Sequence, residues 1–201
     1  MLPPTVQLGR VLTLSFAAGY WSGALKLKRF DKLIAEKSSE VFVEFEGEVT
    51  LNPVIHKAIE WLIANEEAMY ESTFNSLVAG YRTLCAKQKF VPFGDVPAKV
   101  VETFDLRSIC FHPLRAKALP YIGLVFGCEI EQEHGAGLLM HGTRCVSNGS
   151  ADKAILSWIA ERDANTFTGK PKPPAKASGQ KVGKSSPTLG APAKPKRAVN
   201  K

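Results

Sequence analysis

The sequence predicts an α+β fold in which helices pack on a largely antiparallel sheet. Short segments of alternating apolar and polar residues, typical of half-buried antiparallel strands, lie on both sides of one long amphipathic segment. A second, shorter amphipathic segment follows the last of these strands. We therefore expect the order βββ-α-βββ-α, with one long and one short helix, followed by a disordered C-terminal tail.

The first three strands are predicted from alternation and from the glycines between them. The segments are Arg10–Phe16, Tyr20–Lys28 and Glu40–Glu46, and in the third every second residue is a Val or Phe. Gly19 and Gly47 supply turn positions. One face of these strands should be solvated.

The long helix has clear start signals. Asn52 is a suitable N-cap, and Pro53 fits the first helical position, where its missing N–H costs nothing. The spacing predicts a helix from about Pro53 to Cys85, bent or interrupted near residues 75–80. Its apolar stripe is formed by Ile55, Ile59, Leu62, Met69, Leu77, Tyr81 and Leu84.

The second half predicts further strands and the short helix. Residues 88–99 contain two prolines and a glycine, which indicate a loop. The predicted strands after it are Ser108–His112, Tyr121–Glu129, Gly137–His141 and Thr143–Ser147. The short helix covers about Ala151 to Asp163 and carries Ile155, Trp158 and Ile159 on one side.

Charge divides the chain into a domain and a tail. The 201 residues contain 26 Lys and Arg and 19 Asp and Glu, but residues 169–201 hold eight Lys, one Arg, six Pro and no acid. Residues 1–168 are therefore slightly acidic, and we expect them to form a single domain. The composition of residues 169–201 predicts a disordered basic tail. A nucleic-acid-binding core would need a basic face of its own.

The composition also limits compartment and topology. No apolar run approaches the roughly 20 residues of a membrane span, so no transmembrane segment is expected. The N-terminal apolar stretch is short and alternates, which favours a strand over a signal peptide. Because no export signal is recognised, we expect a cytoplasmic protein with reduced, mostly buried thiols. The four cysteines form no Cys-x-x-Cys pair.

The most distinctive segment follows the predicted strand at Tyr121. Acids stand at alternate positions in Glu129, Glu131 and Glu133, followed by His134 and a Gly135-x-Gly137 turn. An extended backbone would place the three acids on one face, where they would be solvated or balanced by a basic partner. We expect the two glycines to allow a turn or bulge.

This segment resembles the C-terminal signature of a bacterial domain family of unknown function. The matching residues are Cys128, the Glu133-His134-Gly135-Ala136-Gly137 turn and the run Gly149-Ser150-Ala151-Asp152. The helix segment 61–67 is similar to the family's central helix. The family often has Trp where this chain has Ile130, and the basic tail is not part of its pattern. The resemblance covers roughly residues 10–163. It implies a role in polymorphic-toxin immunity neighbourhoods, namely binding and neutralising a toxin protein.

The likeness and the charge pattern together predict a protein-binding module without catalysis, cofactor or metal, whose partner is a protein such as a basic toxin. Two acidic surfaces are candidates for the contact. One is the row Glu129, Glu131 and Glu133 with His134. The other is a helix face with Glu60, Glu67 and Glu71.

Two other functions remain open from the residues alone. Glu133, His134 and His141 could form the centre of a metal-assisted hydrolase, although their spacing matches no zinc pattern. The tail could make weak nonspecific contact with nucleic acid or an anionic surface, in the manner of a nucleic-acid-associated accessory protein. A nucleophile elbow and a phosphate-binding loop are both missing from the sequence.

Overall fold

The computed structural model describes residues 4–8, 12–34, 40–87, 89 and 95–168. The predicted α+β class is confirmed. The strands are β1 Thr5–Leu8, β2 Leu12–Ala17, β3 Tyr20–Lys26, β4 Glu40–Glu46, β5 Phe104–Ala116, β6 Leu119–Cys128, β7 Ala136–His141 and β8 Arg144–Gly149. The helices are α1 Pro53–Ala64, α2 Glu66–Lys87, α3 Val96–Thr103, α4 Asp152–Ile155 and α5 Ser157–Phe167, and a 3-10 helix covers Lys28–Leu33.

The eight strands of the described residues form one sheet in the order of the sequence, from β1 to β8. Neighbouring strands are antiparallel except β4 and β5, which are parallel. A parallel pair needs a long crossover connection, and α1, α2 and α3 provide it between these two strands.

The two faces of the sheet are covered differently. On one face α1 packs against β5 and β6 and closes the main core, which contains Ile59, Ile109 and Leu124. On the other face α4 and α5 cover β5 to β8, and Ile159 packs there with Tyr121 and Leu139 in a separate cluster. Because β6 is buried on both faces, its sequence is almost continuously apolar and does not alternate.

The predicted long helix is two helices, and the break is not where we expected it. The helix start is confirmed, since the Asn52 side chain accepts a 2.8 Å hydrogen bond from the Val54 amide. The break falls at Asn65, whose side-chain amide bonds the Trp61 carbonyl and competes with the helical pattern. Gly80 does not interrupt α2. A Cβ there would lie 2.8 Å from the Asn148 side chain, so this glycine makes room for a neighbour.

Other predicted boundaries need correction. Strand β1, the 3-10 helix and α3 were not expected, and α3 occupies part of the predicted loop. The predicted short helix is interrupted at Leu156, which has an extended backbone between α4 and α5. The predicted disordered tail lies outside the described residues. None of the described helices is long and apolar enough to cross a membrane.

Candidate functional site

The acidic segment between β6 and β7 forms a compact turn, so our expectation of an extended row was wrong. The Glu129 amide donates to the Thr103 carbonyl at 3.1 Å, and the Gly135 amide donates to the Glu131 carbonyl at 2.9 Å. Gly135 has φ +58°, and a Cβ there would lie 2.6 Å from the Phe126 carbonyl oxygen. Glycine is therefore required at this position for both backbone and steric reasons.

The turn separates the three glutamates. Glu129 lines a cleft on one side of the turn, and Glu131 lines a cleft on the other side. Glu133 is exposed at the tip between them. The three glutamates therefore do not line one cleft together.

His134 is held at the top of the turn by one of these acids. Its Nδ1 lies 3.2 Å from Glu131 Oε1, and the imidazole remains more than half exposed. The hydrogen bond to Glu131, followed by the negative charge of Glu133, raises the pKa of His134 above its usual value. The His134 carbonyl accepts from the Ala151 amide at 3.1 Å, which ties the turn to the start of α4.

Two clefts meet at this turn and share Phe104, His134 and Gly135 as a wall. The larger, which we name the acidic cleft, has a volume of about 910 Å³ and lies between the 3-10 helix, the end of α3 and the ends of β5 and β6. The second cleft, of about 570 Å³, lies between α2 and the β7–β8 hairpin. Both volumes are typical of binding sites.

Carboxylates outnumber cations among the described residues of the acidic cleft. Its charged lining residues are Asp31, Glu102, Asp105, Glu129, Lys32 and Arg107. Glu102 pairs with Lys99 at 2.5 Å, and Asp105 pairs with Arg107 at 3.4 Å.

Glu129 is exposed at the rim of the acidic cleft, and within the described parts of the chain its carboxylate has no ion-pair partner. An unneutralised carboxylate at a concave rim favours a basic ligand.

The helix glutamates of the second predicted surface lie on two different helices. Glu60 lies on α1, 3.6 Å from His56, whereas Glu67 and Glu71 lie on α2 beyond the break at Asn65. Glu67 is paired with Arg29. Glu71 lines a shallow depression beside β8. The helix break therefore divides this set, and part of its charge is neutralised.

Of the two histidines of the hydrolase hypothesis, His141 is the last residue of β7 and His134 lies two residues before its start. At about 3.3 Å per residue, β7 is roughly 17 Å long. His141 is buried, with Nε2 2.8 Å from the Ala116 carbonyl and Nδ1 3.3 Å from an Arg144 nitrogen. Both of its ring nitrogens are therefore engaged, and it cannot act with His134 on one metal. No group of three or more His, Cys, Asp or Glu within the described ranges is arranged to hold a metal ion.

The four cysteines are free thiols. Cys85 and Cys128 are buried. Burial raises the pKa of Cys110 to about 11 and also raises the pKa of Cys145. Cys110 and Cys145 therefore lack the lowered pKa of an activated nucleophile.

An exposed apolar surface was missed in the sequence. Ile155, Leu156 and Trp158 are respectively 51%, 39% and 48% exposed, whereas only Ile159 of the predicted stripe is buried. The break at Leu156 changes the direction of the chain and turns these side chains away from the sheet. One signal was available, because four apolar residues in five positions span more of a helix than one buried stripe.

The comparisons with known proteins identify the family but no activity. A model of the domain of unknown function DUF6985 matches residues 12–156, which include the sheet from β2 to β8 and the turn at His134. The chain therefore belongs to this family. The comparisons with curated proteins and with solved structures found no match.

Proposed function

We propose that this chain is a non-catalytic protein-binding module that receives a basic segment of a partner protein in the acidic cleft. The observation that carries this proposal is Glu129, which is exposed and has no ion-pair partner among the described residues, at the rim of a cleft whose described carboxylates outnumber its described cations. Complementary charge speeds the encounter with a basic partner and disfavours acidic ones.

Catalysis has less support from the same residues. His134 has a carboxylate neighbour, but that hydrogen bond lies within its own turn and raises its pKa. Burial raises the pKa of the Cys110 and Cys145 thiols, and His141 is engaged in the core. We therefore do not propose the metal-assisted hydrolase.

The resemblance of the acidic turn to the immunity-associated signature supports a more specific form of this proposal. In that form the partner is a toxin with a basic active-site surface, and the chain neutralises it by occluding that surface. The acidic cleft is open and wide enough to accept an inserted loop or side chains from such a surface.

The test begins with affinity purification of the chain from its native cells, both full-length and truncated after Thr168. We expect one stoichiometric protein partner that the truncated form retains. In the double variant Glu129→Lys/Glu133→Lys, the affinity for this partner should fall at least about tenfold, because like charges would then replace Glu129 at the cleft rim and Glu133 on the adjoining turn. A toxic or enzymatic activity of the partner should be inhibited by the unmodified chain.

Glu60→Lys/Glu71→Lys is the matched control, since it makes the same charge change at two exposed helix positions outside the cleft. It should leave the affinity nearly unchanged. An equal loss of affinity in both variants would refute the acidic cleft as the contact. A partner that binds only through residues 169–201 would refute the proposal as a whole.

A further inference from the structure

The second cleft, between α2 and the β7–β8 hairpin, has an apolar floor and a polar rim. Leu77 of α2, Phe104 of β5 and Ala136 of β7 line it and are themselves buried in the core. Leu84, two helical turns beyond Leu77, also lines it and is half-buried. A concave site of about 570 Å³ with apolar walls and a few polar groups is typical of sites that bind small molecules.

The wall of the second cleft formed by α2 is attached to the hairpin. The Asn148 side-chain amide, at the end of β8, donates to the Ser76 carbonyl at 2.8 Å. Ser76 lies in the middle of α2, and the cleft opens beside the later turns of this helix, which contribute Thr83 and Lys87. The hydrogen-bonded turn at His134 forms the opposite wall. A ligand would therefore enter a preformed site.

The charges of the second cleft differ from those of the acidic cleft. Its described charged or titratable lining residues are Glu131, His134 and Lys87. The Glu131 carboxylate is engaged with His134 Nδ1 at 3.2 Å. Lys87, the last residue of α2, is exposed and has no ion-pair partner among the described residues. The charge that this cleft leaves without a described partner is therefore positive.

We propose that the second cleft binds a small molecule with an apolar body and a carboxylate group. The body would cover the apolar floor, and the carboxylate would pair with the Lys87 ammonium at the rim. Charge-assisted hydrogen bonds of this kind are among the stronger polar contacts in binding sites. The Ser150 hydroxyl and the protonated His134 ring, whose Nε2 is not engaged by Glu131, can donate further hydrogen bonds.

Ligands of other charge fit the second cleft less well. A cationic ligand would meet Lys87, whereas the carboxylate of Glu131 is already engaged by His134. A neutral apolar molecule would cover the floor but would gain nothing from the Lys87 charge. This inference is independent of the proposed protein contact, because neither Lys87 nor Thr83 lines the acidic cleft.

The first experiment is an NMR titration of the full-length chain with naphthylacetate at pH 7. This probe has a rigid apolar body and one carboxylate. It should shift the amide signals of Thr83, Ala136 and Ser150, with a Kd below about 1 mM. Naphthylacetamide has the same shape without the charge, and naphthylethylammonium reverses the charge. Both should bind at least about fivefold more weakly.

The second experiment repeats the titration with variants at exposed positions of α2. Lys87→Gln should weaken naphthylacetate binding at least about fivefold and leave naphthylacetamide binding unchanged. Lys87→Glu should reverse the preference, so that naphthylethylammonium binds more tightly than naphthylacetate. Thr83→Phe adds a ring at a lining position and should block all three probes. Lys57→Gln is the matched control, since Lys57 is exposed on α1 outside the cleft, and it should change nothing.

Three results would overturn the inference. The first is the absence of naphthylacetate shifts at the residues that line the second cleft. The second is equal affinity for naphthylacetate and naphthylacetamide, or an unchanged affinity for naphthylacetate in Lys87→Gln, because the carboxylate would then not be recognised. The third is full binding by Thr83→Phe, which would place the ligand elsewhere. Each of these results would leave the proposal for the acidic cleft intact.

Discussion

Replacing Asp163 by Ala should show how much the contacts of this side chain, which connect α5 to the sheet, contribute to the free energy of unfolding. Asp163 Oδ2 accepts hydrogen bonds from the Tyr121 hydroxyl of β6 at 2.8 Å and from Arg144 of β8 at 2.5 Å. Tyr121 is fully buried, and burial with the nearby Asp163 carboxylate raises the pKa of its hydroxyl. The hydroxyl therefore stays neutral and needs an acceptor.

The expected cost follows from these two contacts. Leaving the buried Tyr121 hydroxyl without an acceptor costs about 1–3 kcal/mol. The ion pair with Arg144 contributes about 0–1 kcal/mol, because the Arg144 side chain is 49% exposed. Asp163→Ala should therefore lower the free energy of unfolding by about 2–3 kcal/mol. Asp163→Asn retains an acceptor for Tyr121 and should cost about 1 kcal/mol.

Equilibrium urea unfolding at pH 7 measures these differences. Arg144→Met is the control for the ion pair alone and should cost no more than about 1 kcal/mol. The reasoning would be refuted if Asp163→Ala cost less than about 0.5 kcal/mol. It would also be refuted if Arg144→Met were as costly as Asp163→Ala, since the buried hydroxyl would then contribute nothing.

Three further predictions concern other parts of the domain. Gly123→Ala should destabilise by about 2–3 kcal/mol in thermal or urea unfolding, because its Cβ would lie 2.0 Å from a backbone carbonyl oxygen of α4. Gly127→Ala is the control on the same strand, because a Cβ there would contact only the flexible Arg107 side chain. A loss of stability equal to that of Gly123→Ala would contradict this reasoning. Thr73→Val should raise the free energy of unfolding by about 1 kcal/mol, because the buried Thr73 hydroxyl has no described hydrogen-bond partner. A loss of stability in this variant would show that the hydroxyl does have a partner. The raised pKa of His134 means that its stabilising charge is present below pH ~6.5 and is lost as the pH rises through the folded-state pKa. NMR titration should find this pKa above that of a free histidine side chain and lowered by Glu131→Gln. An unchanged pKa in that variant would rule out the hydrogen bond as its cause.

Local signals in the sequence were sufficient for much of the sheet. The strand Glu40–Glu46 was predicted with its observed bounds, because strict alternation defines both its faces and its ends. Strand β6 could also be recognised, but its neighbours could not be assigned. Continuous apolar character shows that both faces are buried without showing which helices cover them.

The remaining differences depend on tertiary contacts. Gly80 looks like a helix breaker in the sequence, and only the packing of Asn148 against it explains why α2 continues. The acidic segment alternates like a strand, yet Gly135 turns the chain where Phe126 leaves no room for a side chain. In both cases the deciding contact comes from a residue that the local pattern does not include.

The same limit explains why one candidate surface was predicted and another was missed. Charge on an exposed turn is visible in the sequence, so Glu129 and His134 were identified even though their arrangement was wrong. The four apolar residues at 155–159 indicate that one buried stripe cannot hold them all, but the sequence does not show that Ile155 and Trp158 are the exposed ones, because both have the spacing of a buried stripe with Ile159. Their exposure depends on Leu156 leaving the helix, while Gly123 lets α4 approach the sheet closely. A function that depends on exposed apolar side chains therefore requires the fold before it can be proposed.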